Sequence, residues 1–275
     1  MNDFEANLFI YGSFDFLRKG LGFALCGDRI SNDERVEISK IIEKIGNYNT
    51  SNPSEIQWLS TKTSSDKHLL LAFSFGGRDE HGRKTLISKG LLISETKFNT
   101  LQFNPFFILP NLKLDYSILK EEVNKNVFKP LSYQINHDLR NAKKVIEENY
   151  DIVKNLTFSI WTNSKIQMPF ESTYLNILKT IYLLTPTKER KSINFITCAS
   201  QLSDKVNITF LESGSLIHQN QTEVSSKLVS RFDVAVEILL SGSLEAYKDF
   251  ISGRKKKKTN KIISFFSNFF KKKQV

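Results

Sequence analysis

Two stretches of the sequence concentrate residues able to do chemistry. In GGRDEHGR, residues 76–83, the side chains of Arg78, Asp79, Glu80, His81 and Arg83 are carried on a glycine-rich connection between apolar segments. Arginines on a turn with exposed amides can hold a phosphate or carboxylate of a partner, because the guanidinium presents paired donors to paired oxygens. The same composition suits a solvated loop whose charges keep a hairpin tip out of aggregates, and both readings stand at the level of sequence. The second stretch is RKKKKTNKIISFFSNFFKKKQV, residues 254–275, in which six large apolar residues lie between two clusters of lysine. On a helix, Ile262, Ile263, Phe265, Phe266, Phe269 and Phe270 fall at i, i+1, i+3, i+4, i+7 and i+8 and form one apolar stripe. Lys261, Ser264, Ser267, Asn268 and Lys271 fall elsewhere. The apolar part would be about 13 Å long, too short to span a bilayer and suited to lying in its interface. Lys255, Lys256, Lys257, Lys258, Lys271, Lys272 and Lys273 would then face anionic headgroups. Two other fates compete: docking of the stripe into the chain's own core or a partner's groove, and a nonspecific nucleic-acid arm. Nucleic acid is the less favoured, because base stacking calls for aromatics interleaved with cations and these phenylalanines are segregated on one face.

Net charge sharpens the contrast. The chain of 275 residues carries a formal charge of +10, yet nine of its 39 basic residues lie in 254–275 with no acid beside them. That leaves 30 basic against 29 acidic side chains in residues 1–253, a nearly neutral body with a cationic appendage. At 40% apolar and 25% charged, the chain can bury one large core or two ordinary ones. Its two cysteines, Cys26 and Cys198, sit in apolar strand-like surroundings and predict buried thiols in a reducing compartment. The start MNDFEANLFIYG lacks the basic residues of a secretory signal, and no apolar run reaches the length of a membrane span.

Catalytic signatures are sparse. His68, His81, His137 and His218 are scattered, without H-E-x-x-H, C-x-x-C or G-x-S-x-G patterns. His137 beside Asp138 and Arg140 suits a surface or capping role better than acid–base work, since adjacent helical residues point different ways. The pairs Glu121 and Glu122, and Glu147 and Glu148, read as solvated helix faces. No metal or cofactor is expected, and no G-x-x-x-x-G-K-[ST] stretch is present to cradle a nucleotide.

The elements that must position these residues follow from periodicity. ANLFIYGSF and LGFALCG predict buried strands, and NDERVEISKIIEKIG predicts a helix capped by Asn32 or Asp33 and ended by Gly46. HLLLAFSFGGRDEHGRKTLISKGLLIS predicts a long-looped hairpin, followed by a Pro105- and Pro110-broken stretch and a polar helix near 116–126. Further on, SYQINHDLRNAKKVIEENYDIV predicts a helix, TFSIWTN a strand and STYLNILKTIYLLTP an apolar helix. SINFITCAS and VNITFLES predict two more strands. SSKLVSRFDVAVEILLSGSLEAYKDFI predicts one long helix with Phe232, Val236, Leu239, Leu240 and Tyr247 along a single face. Together these predict an α+β protein: a β-rich N-terminal subdomain over 1–115, an α/β middle subdomain with a mixed sheet over 116–250, and a basic amphipathic helical tail over 251–275.

YGSFDFLRKGLGFALCGDRIS, FSFGGRDEHGRKTLISKGLLIS and LLTPTKERKSINFITCAS resemble the landmarks of the bacterial GTPase-associated protein 1 family, over its N-terminal and middle domains. The matching positions are Tyr11, Gly12 and Ser13; Asp79, Gly82 and Arg83; and Pro186, Arg190, Phe195 and Thr197. Two departures stand out: Ser88 and Lys89 replace a histidine after the hairpin, and Thr185-Pro186 replaces Leu-Pro. The resemblance implies a cytoplasmic, non-enzymatic adaptor or scaffold of a GTPase-linked bacterial defence system. Its partner would be a GTPase or another protein of that system. The residues themselves add the tail as a peripheral contact at the inner membrane face and the hairpin as partner surface. The competing classes are a hydrolase or nuclease effector built around Asp79, His81 and His137, and an effector whose tail disrupts membranes.

Overall fold

The structure is a computed structural model and describes residues 7–13, 21–46, 56–78, 84–114, 135–169, 172–199, 206–211 and 225–253. Within them, eight strands form one mixed sheet in the order β2-β1-β5-β4-β3-β7-β8-β6. These are β1 (Asn7–Ser13), β2 (Leu21–Cys26), β3 (Gln57–Lys62), β4 (His68–Arg78), β5 (Lys84–Ile93), β6 (Ile166–Pro169), β7 (Phe195–Ala199) and β8 (Ile208–Leu211). β1 to β5 pair antiparallel, as does β3 with β7, whereas β8 runs parallel to both β7 and β6. The fold is α+β.

Strand alternation divides the core into two layers. On one face Phe9, Tyr11, Leu59, Leu69, Leu71, Phe73 and Leu92 pack under α1 (Asn32–Gly46), which buries Ile38, Ile42 and Ile45 against them. On the other face Leu8, Leu70, Leu91, Phe195, Ile208 and Phe210 are covered by α2 (Glu95–Thr100), α3 (Ile135–Trp161), α4 (Ser172–Leu184), α6 (Ser226–Leu240) and α7 (Leu244–Ile251). The short α5 (Thr187–Arg190) leads into β7, and two 3₁₀ turns, Pro105–Phe107 and Leu109–Asn111, follow α2. At the centre of the N-terminal strands Phe9 lies opposite Gly90, and a Cβ on Gly90 would overlap the Phe9 ring. That approach requires glycine.

The strands from the two halves of the chain meet edge to edge. Leu59 and Ser60 pair with Ile196 and Phe195. Thr197 closes the seam: its Oγ1 accepts from Trp58 N at 2.7 Å and donates to Gln57 Oε1 at 2.9 Å.

Three sequence expectations are corrected. Residues 157–161 of TFSIWTN continue α3 instead of forming a strand, although their β-branched and aromatic side chains favour one. Thr157 Oγ1 donates back to Val153 O at 2.6 Å, Ser159 Oγ to Asn155 O at 3.0 Å, and Phe158 and Ile160 are buried, so packing overrides propensity. Within α3, Asn149 is kinked at φ −134° and ψ 35°. The strand falls instead at Ile166–Pro169. The long C-terminal helix divides in two: Gly242 takes φ 65°, and Ser243 accepts from Ala246 N to cap α7. Finally, Ser31, not Asn32 or Asp33, caps α1. Its Oγ accepts from Glu34 N at 3.3 Å while Ser31 N donates to Glu34 Oε2 at 3.0 Å, a reciprocal capping box. β3 was not foreseen. The helix expected near 116–126 lies outside the described residues.

Candidate functional site

The predicted partner site lies at the outer end of β4 and β5. The backbone places Arg78 opposite Lys84 across the hairpin. The Arg78 side chain, and Asp79, Glu80, His81 and Arg83 altogether, lie outside the described residues, as do Gly82, His218, Glu121 and Glu122. So does the tail, with Lys255 to Lys258, Ile262, Ile263, Phe265, Phe266, Phe269, Phe270 and Lys271 to Lys273. His137 falls in the first turn of α3, with its side chain outside the described residues. Glu147 and Glu148 are exposed and pair with Lys143 and Lys144 one turn earlier, as a solvated face should. Cys26 is free and half-buried, and burial raises its thiol pKa.

Among the described residues, the positions that carry the family resemblance are mainly core positions. Tyr11 is buried; its hydroxyl donates to Glu43 Oε1 at 3.2 Å, and burial, followed by the Glu43 charge, raises its pKa. Ser88 is fully buried and donates to Tyr11 O at 2.7 Å, and Lys89 is buried beside it in the sheet. Phe195 stacks on Phe106 with ring centroids 5.6 Å apart.

Arg190 is the focus of the second half, and only 1% of it is exposed. Its Nε donates to Thr185 O at 2.7 Å, its Nη1 to Gln102 O at 3.4 Å and its Nη2 to the Tyr247 hydroxyl at 3.1 Å. Thr185 directly follows α4 and Gln102 lies just beyond α2. The guanidinium therefore caps two helix C-terminal ends, whose unsatisfied carbonyls carry partial negative charge and offset burial of the cation. Gln102 and Phe103 have φ of 54° and 53°, so Arg190 also fastens a left-handed turn that such side chains rarely adopt. Around this hub, Trp161 Nε1 donates to Thr185 Oγ1 at 3.3 Å. Arg231 lies 4.1 Å over the Trp161 ring while donating to both Glu189 carboxylate oxygens at 2.6 Å. Tyr182 donates to Ile193 O, and burial pushes its pKa well above the ordinary value. Motif reading picked out Arg190, but nothing in the sequence indicated that its partners would be neutral carbonyls and a tyrosine 57 positions away.

His68, at the start of β4, is the other unusual group. It is 3% exposed, lies 4.7 Å from the Phe98 ring and 5.7 Å from Phe103, and its Nε2 meets no hydrogen-bond partner among the described residues. Burial, reinforced by Lys62, pushes its pKa down to about 4. Outside it runs a chain of ion pairs: Lys62 with Asp66 at 2.9 Å, Lys62 with Glu95 at 3.6 Å and Lys191 with Glu95 at 3.7 Å. The ring is thus a neutral packing element sealed by phenylalanines.

Among the described residues no group of three or more His, Cys, Asp or Glu is placed to hold a metal ion, and no helix is long and apolar enough to cross a membrane. No protein-family model and no curated protein matches the chain, so the family resemblance rests on the residues quoted for it.

Proposed function

We propose that the protein is a non-enzymatic adaptor or scaffold of a GTPase-linked bacterial defence system, held at an anionic membrane surface by its basic amphipathic tail. The observation that carries the membrane half is the partition of charge: nine basic residues and no acid within 254–275, against 30 basic and 29 acidic residues elsewhere. Six apolar residues at helical spacing inside that cationic segment provide the insertion face. The adaptor half comes from the family resemblance. It is supported by the structural use of the ionisable groups that the core encloses, with Arg190 capping helix ends and His68 packed between rings. The hairpin 76–83 would add partner surface.

Two measurements test this reading. The intact protein should sediment with anionic vesicles at low salt and lose that binding as salt rises. A protein that ignores such vesicles removes the membrane half. Affinity capture from the native cell should recover a GTPase or a protein associated with one; capture of neither removes the adaptor half. Dye release from the same vesicles separates anchoring, which leaves them sealed, from disruption.

A further inference from the structure

Residues 94–103 connect β5 to the first 3₁₀ turn and are fastened to the body through side chains. Among the described residues, the backbone hydrogen bonds that brace this stretch are local. Phe98 N donates to Ser94 O at 2.9 Å, Leu101 N and Phe103 N to Phe98 O at 3.0 and 3.1 Å, and Gln102 N to Asn99 O at 2.8 Å. None of these reaches the sheet or another helix. Two of its apolar side chains are buried, Phe98 and Phe103, and both lie against the His68 ring. Further ties run from Glu95 to Lys62 and Lys191, and Arg190 Nη1 donates to Gln102 O over a long 3.4 Å. The closed position carries strain, since Gln102 and Phe103 both have φ in the left-handed region. It also encloses two polar atoms, Gln102 Oε1 and His68 Nε2, that have no hydrogen-bond partner among the described residues.

We propose that residues 94–103 form a flap that lifts from the sheet when His68 takes a proton from solvent, while the rest of the fold stays in place. The charged groups facing His68 are Lys62 from β3, Asp66 from the β3–β4 turn, Glu95 from α2 and Lys191 directly after α5. These two cations and two carboxylates pair with one another, so a charged ring under the flap has no carboxylate of its own. An imidazolium donates from both nitrogens, and the rings of Phe98 and Phe103 offer Nε2 no acceptor. Water supplies one once the flap is up, and it reaches Gln102 Oε1 at the same time. The six residues of α2 are too few to stay helical in water without packing, so the lifted flap melts. The motion stops at Asn104, whose Oδ1 accepts from Phe106 N at 3.1 Å, because Phe106 remains stacked on Phe195.

Native-state hydrogen exchange on the full chain tests the flap, with protection corrected for the pH dependence of intrinsic exchange. Closed, His68 titrates at about 4; open, it returns to the ordinary 6.5. Lowering the pH from 7 to 5 should therefore raise the open fraction about 20-fold. The amides of Phe98, Leu101, Gln102 and Phe103 should lose protection by that factor. Small additions of urea should leave their exchange unchanged, because local opening exposes little surface. The amides of Leu70 and Leu71 in β4 should be better protected at both pH values and should respond steeply to urea. H68F should flatten the pH response of the flap amides. Flap amides that share the protection and urea dependence of β4 would show that the segment opens only with the whole fold, and the proposal would fail. It fails equally if wild-type flap protection is constant between pH 7 and pH 5, or if H68F keeps the response. The wild-type comparison of flap and β4 amides decides even without the variant.

Discussion

His68 makes the stability of this fold depend on pH in a window where few other groups titrate. Its folded pKa is pushed down to about 4 from an ordinary 6.5, chiefly by burial between β4 and the α2 segment. Above pH 6.5 the ring is neutral in both folded and unfolded chains and the stability is full. As pH falls below 6.5 the unfolded chain binds a proton that the folded ring refuses, so stability declines until the folded pKa is reached. Between pH 7 and pH 5 this amounts to about 2 kcal/mol, and the complete shift is worth about 3 kcal/mol, a sizeable part of a typical domain's stability. Carboxylates held low by ion pairs lose their contribution at lower pH, largely outside this window. The perturbation is His68→Phe, which preserves an aromatic packing element and deletes an Nε2 that has no hydrogen-bond partner among the described residues. Urea unfolding at pH 7 and pH 5 should show the wild type losing about 2 kcal/mol more than H68F, with the variant as stable as wild type or slightly better at pH 7. The difference between the two proteins removes the contributions of the other histidines. Parallel pH responses would mean that the ring is hydrated or partnered in solution, and the account of His68 as a sealed neutral group would fail.

Two further outcomes follow from the same geometry. Arg190→Met fills similar volume but strands Thr185 O, Gln102 O and the Tyr247 hydroxyl; at about 1 kcal/mol per hydrogen bond it should lower unfolding stability by about 3 kcal/mol, measured by urea titration. A gain in stability instead would show that the buried cation is poorly compensated by the helix ends. Ser31→Ala removes one arm of the α1 capping box and should cost about 1 kcal/mol by the same measurement, with a larger loss for Glu34→Ala. Burial alone would raise the Glu34 carboxyl, but Lys67 at 2.7 Å and the Ser31 and Ser65 hydrogen bonds hold it below its usual range.

Local pattern was readable wherever one face of an element met one layer of core. The 3.6-residue repeat of Ile38, Ile42 and Ile45 marked α1, and the apolar runs of β4 and β5 marked strands buried on both faces. Reading failed where the deciding interaction lay far away or depended on a single residue. Residues 157–161 have strand propensity, and only the helices packed around Phe158 and Ile160 hold them helical. Gly242 was readable as a breaker, but the heptad-like spacing on either side masked it. The S-x-x-E pattern of Ser31 and Glu34 is visible in the sequence, but Asn32 and Asp33 directly after Ser31 are equally good capping types, and only the geometry separates them. β3 was missed because QWLSTK mixes polar and apolar residues in an order explained only by its neighbours: Ser60 beside Phe195, and Gln57 bonded to Thr197 140 positions on. The candidate partner site was legible only as composition, since charge on a hairpin tip has the same signature whether or not anything docks there.

The burial of the landmark residues changes what a family resemblance can support. Tyr11, Arg190, Phe195 and Thr197 are each 3% exposed or less, and their partners are core rings, helix-end carbonyls and the β3–β7 seam. Residues of this kind specify how layers pack, and any chain needing the same packing would repeat them whatever its surface does. Their agreement therefore speaks for architecture, while function has to be located on groups that reach solvent. The proposed tail anchor would meet that requirement by a chemistry independent of the fold, because cationic attraction and apolar insertion need only an accessible amphipathic segment. Grafting residues 254–275 onto an unrelated neutral carrier should transfer binding to anionic vesicles, whereas removing them should leave the unfolding transition of the body unchanged. If truncation instead destabilises the body, the phenylalanines belong to its core, and attachment of the protein to a surface must be sought elsewhere on the molecule.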